Sequence, residues 1–412
     1  MSNGGKTGFG SVFFVFAGYV LSVTAFVLGG NVGHQMNFVN GVGALLLGNM
    51  ILACYAGLLG YIGHRAQCSS SDMFKPVFGI KGQVVSATIV SLFSLVFISV
   101  YSALVGSMAA QLFHLNTPFI GFAVYLIVIV FINLYGFKGM SLFSKFAVPA
   151  IGIFIIYGLY VINQKMGFGN IAAAKPAAPA SFLSVVSVIA ASWMTGATFS
   201  SDIVRFLKKA NQVWLVTVGS FLCVTILETV GLLCSLATGS GDIVTTLGEL
   251  GMSAVAFIIY LLLTITSGQA ILFIAAQALE NITKVVRGVG PEGDGKFTAK
   301  FFIIPSCIFA AVIGAFMLVN GFTQTFLSLL GTIGSAIPPV GGTIVAHFLV
   351  VEREYTKTFQ NMPAYRPAAF LSWFGGVLVS IVLPVGIKPL NGFLAAVVIY
   401  AVLRMFDRKK AA

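Results

Sequence analysis

From Ser11 onward the chain is a succession of apolar runs divided by short polar loops. Many of the runs are long enough to cross a hydrocarbon core ~30 Å thick, which takes ~20 residues of helix. In lipid only helices and closed barrels satisfy every backbone polar group. A barrel would show alternating segments of ~10 residues, and none are visible. Composition agrees, because 58% of residues are hydrophobic and 8% charged, with a mean hydropathy of +1.00. A soluble domain carries ~25% charged residues. The expected fold is an all-α polytopic membrane protein. Twelve spans are read at 11–31, 40–62, 83–112, 118–136, 142–163, 183–200, 212–238, 252–279, 299–319, 323–350, 367–384 and 386–405.

Charge then sets the expected orientation. With a cytoplasmic N-terminus, inside loops and tails hold 20 of the 23 basic residues, and outside loops hold only Lys165, Lys175 and Lys388. That bias is the positive-inside pattern. It places both termini in the cytoplasm of a multi-pass cell-membrane (inner or plasma membrane) protein. The net charge of +12 is dispersed among loops, so a nucleic-acid partner is not expected. The five cysteines, at positions 54, 68, 223, 234 and 307, show no metal spacing. Ser11–Gly30 exceeds a signal-peptide apolar region and shows no A-x-A cleavage pattern, so it reads as the first span. No connection is long enough for a soluble catalytic domain, and the chain reads as one membrane domain.

Polarity enters the membrane at specific places. The stretch ASWMTGATFSSD, residues 191–202, gathers hydroxyls and a tryptophan inside the sixth span. GYVLSVTAFVLGGNVG interrupts the first span, TITSGQA the eighth and GTIGSAIPPVGG the tenth. Polar backbone at this depth is tolerated where it is buried in protein or lines a cavity. Corresponding interruptions in two halves point to an inverted-repeat transporter with its site between broken helices. Glycines taken singly have a plainer reading, close helix packing.

Trp193, flanked by Ser192 and Thr195, suits a flat heteroaromatic ligand, the ring stacking and the hydroxyls meeting its edge. The plain alternative is a core-filling indole. Thr266 and Ser267 are adjacent hydroxyls. With carbonyls freed by an unwound helix they make an oxygen cage for Na⁺, although such hydroxyls often bond back within their own helix. Glu228 is an intramembrane carboxylate and so a functional candidate. It is either a proton relay or a hydrogen-bonded acid facing another helix. His347 is its candidate partner or a packing residue. Asp202 and Arg205 read as a structural or gating ion pair.

ASWMTGATFSSDIVRF and LSLLGTIGSAIPPVGGTIVAHFLV, with GLLGYIGHRAQ, FGIKG and ENIT, resemble the matching stretches of the nucleobase–cation symporter family, also called purine–cytosine permeases. The likeness runs from Gly18 to about Tyr355, and within the family it lies with the cytosine permeases. It implies a five-plus-five inverted repeat of the LeuT-like kind, with repeat one at about 11–163, repeat two at about 183–350, and extra helices at about 367–405. It implies a Na⁺ site at the carbonyls of Gly18, Leu21 or Ser22, and Leu263, with the hydroxyls of Thr266 and Ser267. It implies a substrate pocket at Ser94, Phe97, Ser192, Trp193, Thr195, Gly268 and Gln269, with Phe97 and Trp193 sandwiching a base. The chain departs from the family where cytosine permeases have an amide (Ser94), a Trp (Phe97), an Asn-Asp pair (Gly268–Gln269) and an Asp (His347).

The expected function is cation symport of a nucleobase or related heteroaromatic ring, with Na⁺ as the coupling ion. The alternative is a proton-coupled permease for another small heterocycle such as hydroxymethylpyrimidine, hydantoin or allantoin. No other cofactor and no obligate protein partner are expected beyond the small substrate and the lipid bilayer. An enzyme would need a nucleophile–base set or a metal cluster. The four scattered histidines at positions 34, 64, 114 and 347, with no HExxH, offer neither. A channel would show a filter-like ring or repeated pore loop, and none is evident.

Overall fold

The computed structural model describes residues 6–238, 251, 253–289, 296–321, 336–352 and 362–411. All regular elements among them are helical. In chain order they are α1 (Phe9–Val20), α2 (Val23–Gln35), α3 (Phe38–Ala66), α4 (Ser70–Phe78), α5 (Gly82–Leu112), α6 (Phe119–Leu134), α7 (Gly136–Met166) and α8 (Phe168–Ala173). Then follow α9 (Phe182–Ser192), α10 (Met194–Thr198), α11 (Ser201–Val204), α12 (Gln212–Thr238), α13 (Ser253–Val286) and α14 (Ala299–Asn320). α15 (Pro338–Val345) runs into a π-helical turn, Ala346–Val351, before α16 (Pro367–Val382) and α17 (Lys388–Ala411).

Seven of these helices are long and apolar enough to cross a membrane, and α1 with α2 makes one bent span. Four shorter apolar helices, Phe119–Leu134, Phe182–Ser192, Pro338–Val351 and Pro367–Val382, fall on the remaining expected spans. The first half of the tenth span, positions 323–335 with Gly331, lies outside the described residues, as do Arg353 and Lys357.

The first span breaks for a local reason. Leu21 and Ser22 are both extended, at φ −71, ψ 94 and φ −121, ψ 158. Ser22 becomes the N-cap of α2, its hydroxyl accepting from the Ala25 N–H at 3.2 Å, as serine commonly does at a helix start. The carbonyls at the end of α1 lose their helical partners, and the two pieces bend by 53°. The sixth span breaks at Trp193 (φ −124, ψ 11) and again at Phe199. Gly196 lets α10 turn beneath the indole, because a Cβ there would lie 2.7 Å from Trp193 Cε2.

α13 is the central helix, with 78% of its most apolar window buried against 28% for α7. It packs on α1, α5, α6, α7 and α14, while α12 lies along α2 and α3. Gly29, Gly33 and Gly231 bring the α2 and α12 backbones too close for a Cβ, the small-residue packing usual in membranes. Phe131, Phe146, Ile153, Val312, Val319 and Ile381 are exposed on outer helices and form an apolar surface facing lipid.

A polar connection holds α4 in place between the second and third spans. Ser69 caps α4 by accepting from the Asp72 N–H at 3.2 Å, and its hydroxyl also meets Asp72 Oδ2 at 2.7 Å. Asn281, from the ENIT stretch, donates to Ser69 Oγ at 3.1 Å and Ser71 Oγ at 2.5 Å. Burial pushes the Asp72 carboxyl up, but the Lys75 ammonium 2.8 Å away and the Ser69 hydroxyl outweigh it and hold it below its ordinary value.

Candidate functional site

The break in the first span faces the middle of α13. Ser267 Oγ lies 3.0 Å from the Leu21 carbonyl oxygen and 3.3 Å from that of Gly18, donating between them. These carbonyls are among those freed where α1 stops. Gly18 packs closely there, since a Cβ would lie 3.1 Å from Thr266 Cβ and 3.3 Å from Ser144 Oγ. Thr266 Oγ1 bonds back to Leu262 O at 2.9 Å and Leu263 O at 3.1 Å. Of the residues expected there, Ser267 thus meets Gly18 and Leu21 across the two helices, while Thr266 and Leu263 are bonded to each other within unbroken α13. Ser22 departs from that expectation. Of the two alternative carbonyls, that of Ser22 accepts from the Ala25 and Phe26 N–H groups of α2 at 3.2 and 3.4 Å, while Leu21 supplies the one that Ser267 engages. Three carbonyls and two rotatable hydroxyls are the hard oxygen donors that an alkali cation takes.

Trp193 lies beside this cluster, edge-on to two rings. Its centroid is 5.6 Å from Tyr19 at 61° and 5.7 Å from Phe97 at 70°. The expected parallel sandwich of Phe97 and Trp193 is therefore not the arrangement seen. The rings touch edge to face, a favoured packing for aromatic quadrupoles, and leave no slot between two planes. Tyr19, which sequence reasoning missed, fixes this corner by donating from Oη to the Gly196 carbonyl at 2.9 Å. Ser192 Oγ bonds back to Ile189 O at 2.7 Å. Ser94 and Thr195 are buried on α5 and α10.

A cavity of about 20 Å³ is lined in part by Ser22, Thr24, Asn49, Ser192, Trp193 and Glu228. Glu228 Oε2 accepts from Asn49 Nδ2 at 2.5 Å. Asn49 is thus the partner sequence reasoning did not supply. It was hidden because it sits 179 positions away in a span that is otherwise plain. His347 is not that partner. Its Nδ1 meets Tyr400 Oη on α17 at 2.8 Å, consistent with the packing alternative.

Gly268 and Gln269 turn away from this cavity. The Gly268 Cα packs against the Tyr125 hydroxyl on α6. Gln269 Nε2 donates to Ser144 Oγ on α7 at 3.1 Å, and its carbonyl accepts from Asn133 Nδ2 at 3.0 Å. The reason is helical phase. Ser267 is held against α1, and each following residue rotates ~100° around the axis, toward α6 and α7.

The expected Asp202–Arg205 ion pair also resolves differently. Arg205 Nη2 donates to Gln277 Oε1 on α13 at 2.5 Å, while Asp202 Oδ2 accepts from the Ser70 N–H at 3.2 Å. Each residue ties the end of the sixth span to a different neighbour. Ser70 Oγ and Ser201 Oγ meet at 2.7 Å in the same joint.

Residues 6–402 match the sequence family described as permease for cytosine/purines, uracil, thiamine, allantoin. The chain is 27% identical over 410 residues to the cytosine permease of Escherichia coli strain K12, covering 97% of this chain and 92% of that one. It superposes on Mhp1, a nucleobase-cation-symport-1 family transporter in a closed conformation with bromovinylhydantoin bound. The TM-score is 0.83 at 17% identity, over 98% of this chain and 94% of that one. A Na⁺-coupled sialic acid symporter, substrate-bound and outward-open, gives a TM-score of 0.75 at 12% identity, over 98% and 90% of the two chains. The fold is the LeuT-like five-plus-five inverted repeat with two added C-terminal helices.

Proposed function

The chain belongs to the family of permeases for cytosine, purines, uracil, thiamine and allantoin, and we propose that it is a secondary symporter importing a flat heterocyclic ring with Na⁺. The observation that carries this reading is the Ser267 hydroxyl bridging the freed carbonyls of Gly18 and Leu21. A cation held by Gly18, Leu21, Leu263, Thr266 and Ser267 ties α1 to α13. It acts as a transported substrate, and its charge replaces the hydroxyl hydrogens now directed at those carbonyls.

Trp193 supplies the ring-binding face beside this break, its indole touching Tyr19 and Phe97. Because Leu21 and Tyr19 belong to one short segment, cation binding and ring binding act on the same joint. Rocking of one helix bundle against the other then alternates access to a site near the midplane. The distribution of basic residues supports a cell-membrane protein with both termini cytoplasmic.

The competing reading is proton coupling through Glu228, favoured by its complete burial against Asn49. A thermal-shift panel of purified protein against nucleobases, hydantoins and allantoin, in Na⁺ or in choline, separates the two. Ring stabilisation that requires Na⁺ supports the symporter reading. Ring stabilisation of equal size in choline removes Na⁺ from it, and no ring stabilisation at all removes the heterocycle.

A further inference from the structure

We propose that Tyr101 on α5 receives the hydroxyl hydrogen of Ser267 when a cation enters between α1 and α13, and so is a positioning residue for that cation. This rests on the Na⁺-symport reading above and deepens it by one residue outside the oxygen cluster.

The two hydroxyl hydrogens of the cluster differ in where they point. Thr266 Oγ1 donates to Leu262 O at 2.9 Å and Leu263 O at 3.1 Å. Leu262 lies outside the cation set, so that hydrogen can stay on it while a lone pair of Thr266 faces the cation. Ser267 Oγ has no such exit. It donates to Leu21 O at 3.0 Å and Gly18 O at 3.3 Å, the two carbonyls that the cation itself takes. A cation at those oxygens repels the hydrogen and draws the oxygen lone pair toward itself, so the Ser267 O–H must swing to another acceptor. The usual refuge of a helical serine is the carbonyl four residues back. Here that is Leu263 O, which already accepts from Thr266 and belongs to the same cation set.

Tyr101 supplies the acceptor. Its side chain is 0% exposed and faces the hydroxyls of Thr24, Ser22 and Ser267. Its Oη nevertheless forms no well-aligned hydrogen bond to any of them. A buried hydroxyl left in that state costs free energy, and a phenol can donate once and also accept. With the cation in place, Tyr101 Oη accepts from Ser267. Its own O–H turns to the Ser22–Thr24 pair, whose hydroxyls lie 2.8 Å apart at the head of α2. The hydroxyl hydrogens of Ser267 and Tyr101 are then both partnered, and no proton enters or leaves. The plainer reading of Tyr101 is a core-filling ring, edge-on to Phe97 at 6.2 Å and 61°. A ring kept only for packing needs no hydroxyl here, where a phenylalanine would leave nothing unpaired.

The test melts full-length parent and Tyr101→Phe in detergent across a Na⁺ titration at constant ionic strength, with choline as the balancing cation. Na⁺ should stabilise the parent, and Tyr101→Phe should need about fivefold more Na⁺ for the same shift, the fold-change of one net hydrogen bond. In choline alone the variant should melt no lower than the parent, because it loses only an unpaired buried hydroxyl. A packing role would lower the melting point in choline and leave the Na⁺ response unaltered, and an unaltered response overturns the proposal. A weakened Na⁺ response together with a lower melting point in choline would mean general damage and overturns it as well. A second readout needs no variant. In the Na⁺-minus-choline infrared difference spectrum of the parent, a tyrosine C–O band, identified with ring-deuterated tyrosine, should appear as the phenol gains its partners. No tyrosine band there overturns the proposal even if Tyr101→Phe does not fold. If Na⁺ does not stabilise the parent at all, the Na⁺ reading fails and the role of Tyr101 with it. Na⁺ stabilisation of equal size in parent and variant removes Tyr101 alone.

Discussion

Trp193 was conspicuous in the sequence because an indole at mid-span, between hydroxyls, is far from the interface belts where tryptophan concentrates. The structure gives it two aromatic neighbours and an unpartnered, buried Nε1. Trp193→Ala should weaken ring binding by about 1–3 kcal/mol, the scale measured for base–aromatic stacking. Isothermal titration would show it, and an unchanged affinity would make the indole a packing residue. What was not legible at this scale was direction. A sequence shows that position 228 is a carboxylate and position 269 an amide, but α13 is apolar nearly all round. No polar stripe therefore fixes its rotation, and the faces of Gly268 and Gln269 were set by Ser267 docking on α1. Asn49, likewise, is an isolated amide in its span until α12 packs along α3.

At the scale of elements, the broken first span was legible because GYVLSVTAFVLGGNVG puts glycines and hydroxyls inside an apolar run, while its N-cap at Ser22 emerged only in the structure. The break has a purpose once α13 is beside it. Thr266→Ala combined with Ser267→Ala removes both hydroxyls yet keeps the carbonyls. Na⁺ should stabilise the parent by mass action, about 2.7 kcal/mol at a hundredfold excess over Kd, and should stabilise the double variant little. Melting curves in NaCl against choline chloride measure it, and an undiminished Na⁺ shift would place the cation elsewhere. The α4 cap makes a separate prediction. Asp72 is held below its ordinary value, so it contributes stability above the carboxylate range. That contribution is lost as pH falls through the depressed folded value. Asp72→Asn should cost up to about 1 kcal/mol at pH 7, the usual size of a partly exposed ion pair such as that with Lys75. The same change should flatten the acid side of the stability profile, so a variant with the parent's acid limb would remove Asp72 from that role.

For the whole molecule, the spans and the family were readable because hydropathy reports burial in lipid and the motifs sit at helix breaks. The ion pair expected between Asp202 and Arg205 was not readable correctly. Residues three apart on a helix look like partners, but the sixth span frays into short pieces there, and Gln277 and Ser70 reach in from α13 and α4. The account's central claim is that the oxygen cluster between α1 and α13 couples ring import to Na⁺. Reconstituted into liposomes, the protein should accumulate a ring identified by the thermal panel when an inward Na⁺ gradient is imposed. It should not do so with a pH gradient alone. Full accumulation at zero Na⁺ under an imposed proton gradient would contradict the account and transfer the coupling role to a titrating group such as Glu228.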